Sequence, residues 1–165
     1  MFFKISSRFV ATCYYTSKMA CPYFYPVERD RTNMRSESAL LPLGDAWAGL
    51  CRAGAGPAWQ PDPAVLDPLC MLGYARSLCH RFPHDDPGAD AVRFAISRDD
   101  GVSLQLYYVL ERDHHPFAHG PLEYSLTAGR FLQAPSGEIL SRQAEAYVQS
   151  YLRRKKEAPA RQAAS

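Results

Sequence analysis

No apolar stretch in this 165-residue chain approaches the roughly 20 residues that a membrane helix needs, because Pro, Gly or charge interrupts each run within a few positions. No membrane association is expected, and the length suits one soluble domain with a proper core. G-x-S-x-G, the Walker loop, G-x-G-x-x-G and H-E-x-x-H are all missing. Their absence removes the local signatures of serine hydrolases, nucleotide and dinucleotide enzymes, and zinc proteases. Acid–base pairs that converge only in the fold leave no local trace, so whether the chain is an enzyme stays open. Acidic residues are absent from the first eighteen positions, MFFKISSRFVATCYYTSK, and cysteine is absent from the second half.

Charge is unevenly placed behind a net value of +2. Lys4, Arg8 and Lys18 lie at the start, and Arg153, Arg154, Lys155, Lys156 and Arg161 lie near the end against the single acid Glu157. The body between them holds 11 Lys+Arg and 16 Asp+Glu, about −5. An acidic body disfavours nucleic acid as a partner, since that would require a basic patch within the fold. The first segment lacks an apolar stretch followed by a small-residue cleavage site, so a secretory signal fits poorly. Residues 1–18 are expected to be a disordered or spurious extension, with Met19 a natural start. Residues 19–157 would form a single α+β domain, and 158–165 a flexible tail.

Nine of the thirteen prolines precede residue 90, which predicts short helices and irregular loops in that half. GDAWAGLCRAG reads as a short helix capped by Asp45 and stopped by Gly54, with Trp47, Leu50 and Cys51 on one face. Asp62-Pro63 marks a turn, and Asp67-Pro68 starts a main helix ending before Pro83. Beyond residue 90 the period changes. AVRFAIS and VSLQLYYVLE flank RDDG, a hairpin signal containing Asp-Gly. LEYSLTAGRFLQ supplies a third strand, with room for a short fourth. EILSRQAEAYVQSYLRRKKEA reads as an amphipathic helix with Leu140, Ala144, Tyr147, Val148, Tyr151 and Leu152 on its apolar face. The expected fold is α+β: a Pro-rich half of short helices and loops, packed with an antiparallel sheet of three or four strands and a C-terminal helix.

Cys13 falls in the basic extension, leaving Cys21, Cys51, Cys70 and Cys79 in the domain. Four thiolates complete a zinc site or an iron–sulfur cluster. The gaps, Cys-x29-Cys-x18-Cys-x8-Cys, contain no C-x2-4-C knuckle and so favour a [4Fe-4S] cluster over zinc. Packing as four small apolar side chains is the competing reading. Disulfides rank third, since nothing points to an oxidising compartment and a cytoplasmic location is expected. On an unbroken helix Cys70 and Cys79 would face opposite ways, about 13.5 Å apart along the axis. Ligation by both therefore requires a break, and Gly73 is the place for it. Arg76 and Arg81 are candidate donors to cluster sulfurs or to an anionic substrate, with Arg76 and nearby aromatic residues as the surrounding shell.

ERDHHPFAHGPLEY places His115, His119 and Glu123 at H-x3-H-x3-E spacing beside His114. Pro116, Gly120 and Pro121 argue against a helix, so the segment reads as a loop. His80, His84, His115 and His119 are the second-choice metal ligands. The leading expectation is a four-cysteine [4Fe-4S] protein with a structural or electron-transfer role and a protein redox partner. The alternatives are a metal-free interaction module and a metal-dependent hydrolase using the segment from His114 to Glu123.

Overall fold

The computed structural model describes residues 19–33 and 41–162, with side chains to residue 158. The expectations for residues 1–18 lie outside the described residues. The fold is mixed α+β, with two antiparallel sheets and a C-terminal helix. Strands β1 (Phe24–Arg29) and β2 (Trp47–Cys51) form a two-stranded sheet. Strands β3 (Ala91–Asp99), β4 (Ser103–Arg112), β5 (His115–Ser125) and β6 (Arg130–Phe131) form a meander in sequence order. Helix α1 (Pro63–Val65) is a single turn continued by a π-helical turn at Leu66–Cys70, and α2 runs from Glu138 to Gln162, past the expected domain end at 157. Among the described residues, no helix is long and apolar enough to cross a membrane.

The hairpin signal is answered by β3 and β4, joined through Asp100-Gly101 with Gly101 at φ 81°. Asp100 caps the turn by accepting from the Val102 and Ser103 amides. Three other expectations are corrected. GDAWAGLCRAG is not a helix but holds β2. Trp47, Gly49 and Cys51 point inward at period two, a pattern that a five-residue apolar run shares with helical spacing. A Cβ on Gly49 would lie 2.3 Å from the Tyr25 carbonyl oxygen, so the two strands approach closely there. Asp45 starts no helix; its side chain is buried.

The main helix from Asp67-Pro68 to Pro83 is also absent. Asp62 caps α1, accepting from the Val65 amide at 3.1 Å. Asp67 instead accepts from Asn33 Nδ2. The helical path ends at Cys70, where Gly73 and Tyr74 take φ values of 72° and 54°. Finally, the histidine segment is strand β5 rather than a loop. Asp113 and His114 form its tight turn, both at positive φ (49° and 62°), and Asp and His tolerate that conformation better than most residues. Gly120 admits the Tyr108 ring across the strand pair, where a Cβ would meet it at 2.8 Å.

Helix α2 lies between the two sheets. Ala144 and Val148 are fully buried, and Tyr147 stacks on Phe94 of β3 at 5.6 Å. A second buried face is polar. Gln143 Nε2 donates to the carbonyls of Cys21 (2.8 Å) and Phe24 (2.7 Å). Ser150 Oγ accepts from the Asp45 amide and Trp47 Nε1. Arg153 grips the buried Asp45 carboxylate with Nε at 2.8 Å and Nη2 at 2.5 Å, while Arg154 adds a contact at 3.3 Å.

Removing one partner of a buried ion pair leaves the other charge stranded. Asp45→Ala is expected to lower stability by about 3 kcal/mol in urea denaturation. A loss below about 1 kcal/mol would show that solvent reaches the arginines freely.

At the far edge, the half-buried Asp99 carboxylate accepts from Lys155 Nζ (2.6 Å) and Tyr151 OH (2.8 Å) of α2. These bonds, Lys155 first, hold its pKa at about 2 instead of 3.8. In that interval the unfolded chain binds the proton and the folded chain does not, so stability rises with pH. The contribution is therefore complete above about pH 4 and lost towards pH 2. Asp99→Asn should flatten this part of the acid profile, read as the urea midpoint against pH. An unchanged slope would remove Asp99 from the account of acid sensitivity.

Candidate functional site

Each of the four cysteines arrives on a different piece of backbone. Cys21 lies in the turn before β1, its amide donating to the Cys70 carbonyl at 2.9 Å. Cys51 ends β2 and exchanges two backbone bonds with Trp59, at 2.7 and 3.0 Å. Cys70 closes the π-helical turn. Cys79 ends a turn whose amides return to the Ala75 carbonyl. All four are free thiols; Cys21, Cys51 and Cys70 are buried and Cys79 is half-buried.

The four residues line one narrow apolar pocket with a free volume of only about 10 Å³. Tyr23, Trp59, Val65, Leu69, Ala75 and Phe82 supply most of the remaining wall, and among the described residues no histidine or carboxylate lines it. Tyr23 meets Phe82 edge to face at 5.2 Å. Burial raises the Cys21 thiol above the usual range, and the neighbouring Cys51 and Cys79 raise it further. Cys70 is raised in the same way, first by burial and then by Cys21, Cys51 and Cys79. Thiolates crowded into an apolar space repel one another, so Cys21 and Cys70 remain protonated at neutral pH unless a cation compensates them. Among the described residues, no group of three or more His, Cys, Asp or Glu side chains is gathered closely enough to hold a single metal ion. One tetrahedral zinc would need every sulfur about 2.3 Å from the metal.

The bend that brings Cys70 and Cys79 to the same cavity occurs at Gly73. Besides its φ of 72°, a Cβ there would stand 2.2 Å from the Met19 carbonyl oxygen. The strip from Met19 to Cys21 is in turn pinned to β3, Ala20 and Val92 exchanging two backbone bonds of 2.8 Å. Tyr74 continues the bend, donating its hydroxyl to Glu111 of β4 and stacking on His114 at 4.0 Å. Arg76 pairs with Asp90 at 2.5 Å and donates to the carbonyls of Pro83, His84 and Asp86. Its donors thus hold the loop together instead of facing the sulfurs, which corrects the place expected for Arg76. Its guanidinium does cover Phe82, a wall of the cavity.

The histidines are not brought together. His80 and His84 are exposed beside the Cys79 turn, and neither lines the cavity. His115 contacts the Asp113 carbonyl at 2.6 Å through Nδ1. His119 and Glu123 pair across β4 with Val109 and Gln105. Four residues along a strand span about 13 Å, so the H-x3-H-x3-E spacing separates these groups. Sequence reasoning missed Trp59 and Phe82 as cavity walls, and the Tyr74–Glu111 contact. Only Gly73 signalled any of this.

A second feature is an open groove of about 890 Å³ along β4, β5 and the segment at 132–136. Tyr107, Tyr108, Leu132 and Glu123 contribute to it. Comparison with protein-family models, curated proteins and solved structures finds no match to this chain.

Gly73→Ala should cost at least about 2 kcal/mol from backbone strain and the contact with Met19. Urea denaturation reads the stability, and the rate of thiol alkylation reads the opening of Cys70. Wild-type stability with unchanged labelling would mean that the bend does not depend on glycine.

Proposed function

We propose that Cys21, Cys51, Cys70 and Cys79 are the thiolate ligands of a [4Fe-4S] cluster with a structural or electron-transfer role. The observation that carries this reading is the shared cavity. Four cysteines separated by 29, 18 and 8 residues line one apolar space, to which the described residues contribute no other titratable group except Tyr23. A core of small apolar residues has no reason to select cysteine four times at one place. A ligand that takes four thiolates supplies that reason.

A cluster is preferred to zinc because its corners are reached separately, by four independent segments, whereas one ion demands a tighter set. Cluster insertion expels the thiol protons, and the positive core then offsets the repulsion that raises Cys21 and Cys70. Free thiols suit a reducing compartment, so a cytoplasmic location belongs to the same proposal. A protein redox partner would meet the cluster on the side of Cys79, the least buried ligand.

The metal-free interaction module is the second reading, favoured by the groove beside Tyr107 and Tyr108. The full chain, purified without oxygen, separates the two. Its visible spectrum and its iron, sulfide and zinc content should show a brown protein with about four iron and four sulfide per chain, as a thiolate-bound cubane requires. Cys21→Ser should then bleach it and lower its stability. Stoichiometric zinc would make the site a structural clamp. A colourless, metal-free and stable wild-type protein would return the cysteines to the core and leave the groove as the functional surface.

A further inference from the structure

Cys21 and Cys70 share more than a pocket. The Cys21 amide donates to the Cys70 carbonyl at 2.9 Å. In a hydrogen-bonded backbone pair the Cα atoms stand about 5.5 Å apart, inside the roughly 4.4–6.8 Å that a disulfide spans. The other two cysteines direct their backbone bonds elsewhere, Cys51 to Trp59 and Cys79 to Ala75 and Phe82. Cys21 and Cys70 are both buried, and both line the pocket. After burial itself, Cys21 is the strongest of the neighbours that raise the Cys70 thiol, so the side chains approach as the backbones do. With a free volume of only about 10 Å³ the pocket already packs its sulfurs closely, and an S–S bond adds no atom to it.

We infer that Cys21 and Cys70 are a redox-active pair, which closes to a disulfide when a small disulfide of the glutathione type oxidises the metal-free chain. This stands on the free thiols and does not rest on the cluster reading.

The exchange moves two electrons. Two protein S–H bonds break and one S–S bond forms, while the S–S bond of the small disulfide breaks. The latter leaves as two thiols, which carry away both protons and both electrons. Burial keeps the two protein thiols largely protonated at neutral pH, so the bond forms slowly and is then shielded from reductant. It closes a loop that contains β1 and β2. Loop closure restricts the unfolded chain more than the folded one, so the oxidised protein is the more stable form. In a reducing compartment such bonds are transient and redox-sensing. The pair is thus a switch on the stability of the first sheet.

The test takes the full chain, reduced and freed of metal with a chelator, and equilibrates it with oxidised and reduced glutathione at graded ratios. Peptide mapping by mass spectrometry reads the linkage, and urea denaturation reads the stability. The wild type should show one linkage, Cys21 to Cys70, with the mass lower by two hydrogens. Its urea midpoint should rise on oxidation and fall again with dithiothreitol, and in Cys70→Ser it should no longer respond. A linkage between any other two cysteines, glutathione adducts without a linkage, or thiols that stay reduced at the most oxidising ratio would overturn the pairing. The map comes from the wild-type chain, so the result does not depend on whether the variant folds. Iron and sulfide analysis of the untreated chain reads the cluster separately, and either inference can fail without the other.

Discussion

The polar face of α2 is the constraint on which the rest of the structure depends. A helix between two sheets normally presents apolar residues to both. Here the side towards β1 and β2 presents Gln143, Ser150 and Arg153, at spacings that keep them on one face. Each meets a buried polar group of the first half: the Cys21 and Phe24 carbonyls, the Asp45 amide and the Asp45 carboxylate. Unmet polar groups in a low-dielectric interior are strongly disfavoured, so the helix and the first sheet fit in one register. Gly44 enforces the same closeness, since a Cβ there would stand 2.5 Å from Ser150 Cβ.

That register reaches the cysteines directly. The carbonyl held by Gln143 belongs to Cys21, and the Cys21 amide is bonded to the Cys70 carbonyl. Cys51 is fixed opposite Phe24 in the strand pair. The cavity is thus assembled by backbone hydrogen bonds among its walls, before any ligand is considered. Burial first, and the neighbouring cysteines second, raise the Cys21 and Cys70 thiols, so these two side chains meet in protonated form.

The legible and illegible parts of the sequence divide along physical lines. The β3–β4 hairpin was readable because its determinants are local: alternating side chains on either side of an Asp-Gly turn. The helix α2 was readable from its period, although its polar seam was not, because Gln143 and Ser150 look like solvent-facing residues until β1 is laid against them. β2 failed because five residues cannot distinguish period two from spacings of three and four. β5 failed because Pro116 and Pro121 argue as strongly against an inner strand as against a helix. The first lies beside an irregularity in register and the second meets Tyr107 across the pair. The cysteine set was legible only as a count. That the four share a cavity follows from the break at Gly73, which the sequence marked, and from the β1–β2 sheet, which it did not.

The described non-glycine residues with left-handed backbone are Tyr74, Asp113 and His114, and they meet at one place. Tyr74 stacks on His114, and the Asp113 amide donates to Asp90, the partner of Arg76. Asp90 is partly desolvated, which raises its pKa, yet the Asp113 amide and Arg76 outweigh that and hold it below the usual value. It is therefore an anion at neutral pH, anchoring both the hairpin tip and the Arg76 loop. Tyr74 and Arg76 both lie between Cys70 and Cys79 in the chain. The strained turn of the β4–β5 hairpin is consequently locked to the segment that spans those two cysteines. Such strain persists only where the surroundings over-determine it. The cysteine loop is thus tied to the second sheet, and the cavity's walls are held by contacts that never touch a sulfur.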